Sequence, residues 1–237
     1  MCGRYTHLYT WKQLHRLLNL NAHPPEESLQ NSWNVAPTQA APVVSLDTNG
    51  NRVGSMMQWG FAPAWATNST LRPINARSET VTTSPLFRGA FKSTRCIVAV
   101  SGFYEWKPGL TDKIPRQPYY ITMLNDHIMF FAGLWTAPTD EQIARDTQRT
   151  LPTFTILTTT ANEAMQQIHH RMPVMLDAAA VDEWLSNAPL NEPQIARLLT
   201  PVHSEELKLT PVSIRVNKPT NNDPRLIDPS DEPGSLF

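Results

Sequence analysis

Residues 41–58, APVVSLDTNGNRVGSMMQ, carry the strongest fold signal in this chain of 237 residues. Two runs with strand character, Ala41–Leu46 and Arg52–Gln58, flank the turn-forming residues Asp47-Thr48-Asn49-Gly50. Asn-Gly between two such runs is a strong β-hairpin signal, because both residues tolerate a positive φ. The stretch therefore predicts two antiparallel strands joined by a tight turn.

Similar signals outside the hairpin predict the remaining elements. Further strands are predicted at Arg95–Val100, Tyr119–Met123, His127–Phe131 and Phe154–Thr159. Helices are predicted from an N-cap at Thr10 to Asn19, and at Pro85–Phe91, Glu163–Ile168, Asp177–Ser186 and Glu192–Leu199. Many short strands with scattered helices, without regular alternation, predict one α+β domain. We expect a bent, barrel-like, mostly antiparallel sheet flanked by short helices.

The predicted domain covers residues 1–218. From Pro219 onward, prolines punctuate a stretch rich in Asn, Asp and Ser that has little apolar surface to bury. Such a composition does not offset the entropy lost on ordering the chain. Residues 219–237 are therefore expected to form a disordered tail.

Composition restricts the class of protein. A hydrophobic fraction of 41% is ordinary for a soluble globular domain, and no apolar run is long enough to span a bilayer. The two cysteines, Cys2 and Cys96, fit a reducing cytoplasm and cannot form a Cys-rich zinc site. We expect a cytoplasmic monomer without metal, cofactor or membrane association.

Charge is distributed unevenly along the chain. Residues 1–118 contain 12 Lys and Arg against 6 Asp and Glu, whereas residues 119–237 contain 8 against 15. A nucleic-acid partner would have to meet a basic face built mainly from the first half. The alternative is that the two halves fold together and neutralise each other.

Cys2 follows the initiator Met, and a residue this small permits removal of Met1. The exposed Cys2 would carry an α-amine with a reference pKa of about 8 and a thiol with one of about 8.5. Both groups would then be partly nucleophilic near neutrality. The amine can condense with an aldehyde, and the thiol can close the imine to a thiazolidine. The alternative is a small buried hydrophobic residue.

Glu105 and His169 are candidates for proton transfer. Glu105 follows an apolar run and lies among aromatic residues, where desolvation favours the protonated carboxyl and suits acid–base catalysis. The alternative is a carboxylate paired with Lys107 or Arg77. His169 precedes an extended Met-Pro pair, where its ring could project into a cleft. A structural histidine is the alternative there.

Asn75 and Arg77 would face the same side of an extended segment. An amide can orient a sugar hydroxyl or an imine, and a guanidinium can bind phosphate bidentately. The alternatives are turn formation and an ion pair between Arg77 and Glu79.

Three further residues are candidates for contacts with DNA. Arg4 is two residues from Cys2, and Asn34 lies in a loop that ends at a proline. Trp65 offers a flat face for an exposed base, an interaction worth about 1–3 kcal/mol in single-strand binders. Trp59 is expected to fill the core instead.

Six segments, read in order, resemble one family. They are Cys2–Tyr5, Trp33–Pro37, Trp59–Trp65, Ile74–Thr80, Gly102–Lys107 and His169–Pro173. In order and spacing they resemble the SOS-response-associated peptidase (SRAP) family from residue 2 to about residue 218. The family pattern Ile-His-x-Arg-x-Pro selects His169 and leaves His170 without a role.

The resemblance implies an enzyme that senses abasic sites in single-stranded DNA and crosslinks to them through Cys2. It implies that Glu105 shuttles protons, that Asn75 holds Cys2 and the sugar, and that His169 assists the imine step. Arg4, Asn34, Trp65 and Arg77 would then contact the DNA strand. Strand cleavage by β-elimination and autoproteolytic exposure of Cys2 are further implied activities, although an aminopeptidase is sufficient to remove Met1.

Two alternatives belong to other functional classes. Glutamine amidotransferases with an N-terminal nucleophile also begin Met-Cys-Gly, but Asn49-Gly50 here lies in a predicted hairpin turn, and the segments around Glu105 and His169 would go unexplained. A non-catalytic single-strand binding module would use Arg4, Arg77 and Trp65 and form no covalent product.

Overall fold

The computed structural model describes residues 2–21, 28–63, 65, 71–109, 116–145, 150–186 and 188–230. The strands are β1 Tyr5–His7, β2 Ser32–Val35, β3 Ala40–Leu46, β4 Arg52–Trp59, β5 Asn75–Arg77, β6 Arg95–Val100, β7 Gly102–Lys107, β8 Gln117–Met123, β9 Met129–Thr136, β10 Thr153–Thr160, β11 Arg171–Pro173, β12 Met175–Leu176 and β13 Leu207–Pro211. The helices are α1 Trp11–Leu17, α2 Arg88–Ser93, α3 Asp140–Arg145, α4 Glu163–Gln166, α5 Ala178–Leu185 and α6 Glu192–Leu198. The α+β class predicted from the sequence is confirmed.

The strands form two sheets. The smaller sheet has the order β13-β8-β7-β1-β2, and the larger has the order β11-β10-β4-β3-β6-β9-β12, with β5 paired to β10. Strand β10 also pairs with β9, so the larger sheet curves back on itself into a partial ring. The bent, mostly antiparallel sheet expected from the sequence is thus present as a partial ring, and a second sheet accompanies it.

Apolar side chains occupy both faces of the larger sheet. One cluster lies between the two sheets and includes Cys2, Tyr5, Trp59, Phe103 and Phe154. A second cluster covers the other face, where α1, α2, α5 and α6 contribute side chains. Trp59 is fully buried, as expected, and its indole N–H donates to the main-chain oxygen of Ile74 at 2.9 Å. Because Cys2 belongs to the cluster between the sheets, the two sheets together determine its surroundings.

The local signals at the hairpin and at the first helix are confirmed. Strands β3 and β4 pair in one continuous antiparallel register, and Gly50 has a φ of +81° in the turn between them. Thr10 caps α1, and its hydroxyl and the Gln13 side chain form a reciprocal capping box. These elements depend mainly on neighbouring residues, which explains why their sequence signals were sufficient.

The prediction of a disordered tail is wrong for residues 219–230. Leu226 is fully buried in a third apolar cluster against Tyr104 and Tyr120, on the outer face of the smaller sheet. Pro229 forms an antiparallel bridge with Val212. The segment is ordered by contacts with a distant sheet, which its composition does not reveal. Residues 231–237 lie outside the described residues.

Candidate active site between the two sheets

The pairing of β1 with β7 places Glu105 beside the start of the chain. Tyr5 pairs with Phe103 in antiparallel register, and the Tyr104 N–H donates to the Arg4 oxygen at 2.9 Å. One residue beyond the contact between Arg4 and Tyr104, the same register places Glu105 opposite Gly3. The Glu105 carboxylate is close enough to Cys2 to act on its thiol electrostatically. The sheet thus brings together two residues that are 103 positions apart in the sequence.

Gly102, the first residue of β7, permits close packing against Tyr120 on the neighbouring strand β8. A Cβ at Gly102 would lie 2.2 Å from the Tyr120 ring, whose hydroxyl is hydrogen-bonded to Thr6 at 2.9 Å. No side chain can be added there without displacing Tyr120. The glycine therefore lets the β1, β7 and β8 strands approach closely enough to hold the site.

Asn75 connects the larger sheet to the start of the chain. Its strand β5 pairs with β10, where Asn75 lies opposite Ile156. The Asn75 Nδ2 donates to the main-chain oxygen of Cys2 at 2.8 Å. Its Oδ1 is buried and has no hydrogen-bond partner among the described residues. Asn75 therefore holds Cys2 with one end of its amide and keeps an acceptor available at the other.

Cys2 is fully buried, which changes the state of its thiol from the one expected for an exposed cysteine. Burial, followed by the nearby Glu105 carboxylate, raises the pKa of the thiol far above its usual range. The positive charge of the chain's amino terminus and a main-chain hydrogen bond from Arg4 lower this pKa by less. Burial therefore favours the protonated thiol, and the sulfur needs a base before it can react.

Burial also determines the pKa of the Glu105 carboxyl, because this residue is only 2% exposed. Desolvation raises the pKa of its carboxyl, while the positive charge of the amino terminus and hydrogen bonds to the carboxylate partly oppose the shift. A carboxyl with a raised pKa can hold or release a proton closer to neutrality than an exposed glutamate. Glu105 therefore has the environment expected of an acid–base group.

His169 lies between α4 and β11 and is half-buried. Burial, followed by the charge of the amino terminus, lowers the pKa of its ring. The same terminal charge acts on Cys2 and Glu105, so the three residues share one electrostatic environment. The His170 ring stacks on that of His169 with centroids 4.4 Å apart, although the motif had left His170 without a role.

Arg4 and Asn34 do not have the surface positions expected of contacts with DNA. Arg4 Nη1 donates to Asn34 Oδ1 and to the Val216 oxygen, both at 2.7 Å. Asn34 is buried, and its Nδ2 donates to the main-chain oxygens of Val216, Lys218 and Asn221. The two side chains anchor the segment that follows β13, and the amide of Asn34 is occupied by these internal contacts.

Trp65 and Arg77 are exposed, as binding to DNA would require, but Trp65 has neighbours that were not expected. The Trp65 side chain is 67% exposed and lines a surface cavity of about 510 Å³ together with Arg88 and Lys92. Among the described residues, no acidic side chain lines this cavity. The alternative for Arg77, an ion pair with Glu79, is not formed, because Glu79 pairs with Arg171.

The sequence prediction missed three cationic residues near these groups. Arg88 and Lys92 lie four positions apart on α2, a spacing that places them on one helix face. Arg171 lies inside the His169–Pro173 segment, in which only the two histidines were candidates. The i, i+4 spacing of Arg88 and Lys92 can be recognised in the sequence, whereas the position of α2 beside Trp65 depends on the fold.

Among the described residues, no helix has both the length and the apolar character to cross a bilayer. Within the same residues, no three His, Cys, Asp or Glu side chains form a group that could hold a metal ion.

The chain is similar over most of its length to one family and to several named relatives. The family model described as SOS response associated peptidase (SRAP) matches residues 1–219. The abasic site processing protein YoqW of Bacillus subtilis is 35% identical over 233 residues, which cover 96% of this chain and 99% of the relative. The abasic site processing protein HMCES of Xenopus tropicalis is 30% identical over 232 residues, which cover 84% of this chain and 66% of the relative.

The architecture also occurs in a solved structure. A crystal structure of a protein from Bacteroides thetaiotaomicron superposes with a TM-score of 0.81 at 24% identity and covers 97% of this chain. At that identity the similarity shows a shared fold over almost the whole chain.

Proposed function

Because this chain belongs to the SOS response associated peptidase family, we propose that it processes abasic sites in DNA by forming a covalent crosslink through Cys2. The relatives named as abasic site processing proteins support the lesion as the substrate. The hydrogen bond from Asn75 to Cys2, which holds Cys2 beside Glu105, is the observation that carries the mechanism. The proposed substrate is an abasic site in single-stranded DNA.

The reaction begins after Met1 has been removed, because only a free α-amine on Cys2 can form an imine. The open-chain abasic sugar presents an aldehyde at C1′. The Cys2 amine adds to this carbon, and water leaves as the imine forms. The Cys2 sulfur then bonds to the same carbon and closes the thiazolidine, while the thiol proton passes through a base to the ring nitrogen. The net change is the loss of one water molecule.

The buried thiol explains why the amine reacts first. A protonated thiol is a poor nucleophile, whereas the amine needs only to be neutral. Glu105 supports both stages, since its carboxyl can protonate the departing oxygen and its carboxylate can accept the thiol proton. Asn75 Oδ1 supplies an acceptor for a hydroxyl of the sugar or of the carbinolamine. His169 assists the imine step and its reversal.

Cations and one tryptophan provide the proposed path for the DNA strand. Arg77 lies two residues from Asn75 on β5 and is exposed. Trp65 presents its ring beside Arg88 and Lys92, so a base could stack there while the cations contact phosphates. The internal contacts of Arg4 and Asn34 fit the alternative role of holding the site's framework.

Intact-mass spectrometry of the purified protein with an abasic oligonucleotide tests the proposal. We expect the protein to lack Met1 and to gain the mass of the oligonucleotide less one water, in a product that survives heating. Cys2→Ala should form no such product, while Cys96→Ala, which alters the chain's other buried cysteine, should still form it. A heat-stable adduct with Cys2→Ala would mean that another nucleophile is responsible.

The proposal includes two further activities, strand cleavage and release of Met1. An imine that does not close can undergo β-elimination, which would cleave the strand, and this lyase activity should depend on His169. Autoproteolytic release of Met1 is testable by expressing the Glu105→Gln variant and measuring retention of Met1. A glutaminase assay separates the crosslinking enzyme from an amidotransferase, and we expect no glutamine hydrolysis.

A further inference from the structure

The side chain of Arg171 crosses neighbouring strands of the larger sheet. Strand β10 lies between β11, which begins with Arg171, and β5, which is followed by Glu79. Arg171 Nη2 donates to the main-chain oxygen of Thr158 on β10 and, at 2.9 Å, to Glu79 Oε2. Its Nη1 donates to Glu79 Oε1. This two-point geometry is the strongest form of arginine–carboxylate pairing.

Both ends of this ion pair adjoin residues of the proposed active site. Glu79 follows Asn75 by four positions on the same segment. Arg171 follows His169 by two positions, and its main-chain N–H donates to His169 Nδ1 at 3.0 Å. The pair therefore ties together the two segments that carry Asn75 and His169.

The main chain of Arg171 can hold the His169 ring in either protonation state. In the neutral ring, Nδ1 accepts from the Arg171 N–H, so the proton resides on Nε2. In the protonated ring, Nδ1 can donate to the Arg171 main-chain oxygen, which is 3.3 Å away. Because the Arg171 main chain occupies Nδ1 in both states, we assign proton transfer to Nε2.

Burial, charge and further hydrogen bonds stabilise the ion pair between Arg171 and Glu79. The Arg171 side chain is only 11% exposed, while that of Glu79 is 48% exposed. The Arg171 hydrogen bond, the largest contribution, lowers the pKa of the Glu79 carboxyl, so this residue remains charged near neutrality. Thr158 adds contacts through its main-chain oxygen and, at 3.3 Å, its hydroxyl.

We propose that Glu79 is a positioning residue that acts through Arg171 to hold His169 and Asn75 in the geometry required for imine formation. This inference rests on the proposed function, because it assigns a role relative to that reaction. Loss of the Glu79 charge weakens the two-point contact and leaves the Arg171 guanidinium held mainly through Thr158, so the start of β11 is fixed less firmly. A displacement of about 1 Å at a reacting centre can cost roughly 100-fold in rate.

The test compares Glu79→Gln with Asp182→Asn, which breaks the exposed Arg52–Asp182 ion pair between β4 and α5. Three quantities are measured. They are the rate of covalent product formation with saturating abasic oligonucleotide, the Kd for intact single-stranded DNA, and the tautomer of His169 by nitrogen-15 NMR without DNA. Thermal unfolding confirms that each variant is folded.

We expect Glu79→Gln to slow product formation by about tenfold, since partial misplacement costs less than a full ångström. The Kd should stay within about twofold, because the variant removes no contact with DNA. The neutral His169 ring should change from the Nε2–H tautomer to a mixture of tautomers. Asp182→Asn should leave all three quantities unchanged. Glu79→Gln combined with Arg171→Gln should be no slower than the slower single variant, because the two residues act as one unit.

Two results would overturn the inference. In the first, Glu79→Gln keeps the wild-type rate and the wild-type tautomer. In the second, it binds intact DNA more tightly and with a steeper salt dependence, which would make Arg171 a phosphate contact that Glu79 restrains. If the wild type forms no covalent product, the proposed function fails separately. The tautomer measured without DNA would still decide whether Glu79 positions His169.

Discussion

At the scale of single residues, burial controls the chemistry available to Cys2 and Glu105. Desolvation raises the pKa of both the thiol and the carboxyl, and the Glu105 carboxylate raises the pKa of the thiol further. Two negative charges in this buried site would cost more than one, so in the proposed mechanism the thiol proton passes to Glu105 as the ring closes.

Glu105→Gln should slow formation of the crosslink by about 100-fold or more, because general acid–base groups typically contribute 10²–10⁴. Gln keeps the size and hydrogen-bonding capacity of the side chain but cannot transfer the proton. Quenched-flow sampling with denaturing gels measures the rate. Glu205→Gln, at an exposed position in another part of the chain, is the control and should react like the wild type. A wild-type rate for Glu105→Gln would assign the proton transfer to another group.

The same substitution should change stability in a way that depends on pH. The folded pKa of Glu105 is raised, so the folded state binds its proton more tightly than the unfolded state does. Its contribution to stability is therefore present below the unfolded pKa and is lost as the pH rises through the folded pKa. Glu105→Gln should accordingly gain Tm relative to the wild type as the pH rises from 4 to 8. A Tm difference that is constant over this range would contradict the raised pKa.

At the scale of elements, the segment after β13 completes the outer face of the smaller sheet. Leu226 fills a cluster against Tyr104 and Tyr120, while Asn34 satisfies main-chain oxygens of the same segment. Tyr104 precedes Glu105 on β7, and its hydroxyl donates to the Trp33 oxygen at 2.8 Å. Packing on one face of β7 thus supports Glu105, the proposed acid–base residue on its opposite face.

Leu226→Ala should lower the free energy of unfolding by about 2–5 kcal/mol, the range for truncating a buried leucine. Urea denaturation followed by circular dichroism measures the change. Leu124→Ala is the matched control, because Leu124 is 64% exposed and its truncation should cost no more than about 0.5 kcal/mol. Equal effects of the two variants would mean that the segment adds no stability and that the tail prediction was correct after all.

At the scale of the whole molecule, the uneven charge of the two halves is only partly neutralised by folding. Ion pairs such as Arg52–Asp182 and Glu79–Arg171 join the first half to the second. Arg77, Arg88 and Lys92 come from the basic half and remain exposed. The fold therefore keeps these three cations on the surface, two of them around the cavity that Trp65 lines.

Replacing both Arg88 and Lys92 by Glu should weaken binding to single-stranded DNA and flatten its dependence on salt. Each lost phosphate contact should reduce the slope of log K against log[salt] by about 0.7, since fewer counterions are released. Fluorescence anisotropy at several salt concentrations measures the slope. Lys208→Glu, on the edge strand β13 of the other sheet, should change it little. If the double variant keeps the wild-type slope, the strand does not pass over α2.

Local sequence determined the β3–β4 hairpin, the capped helix α1 and the alternation that places Asn75 and Arg77 on β5, because each depends on residues close together in the chain. Chain position and neighbouring residues identified Cys2, Glu105 and His169 as candidates. Only the tertiary structure shows that Cys2 is buried, that Asn34 donates to main-chain oxygens of the segment after β13 and that residues 219–230 are ordered. Burial, charge coupling and packing between segments arise from long-range contacts. Arg171 reaching Glu79 across β10 is such a contact, since no spacing in the sequence encodes it.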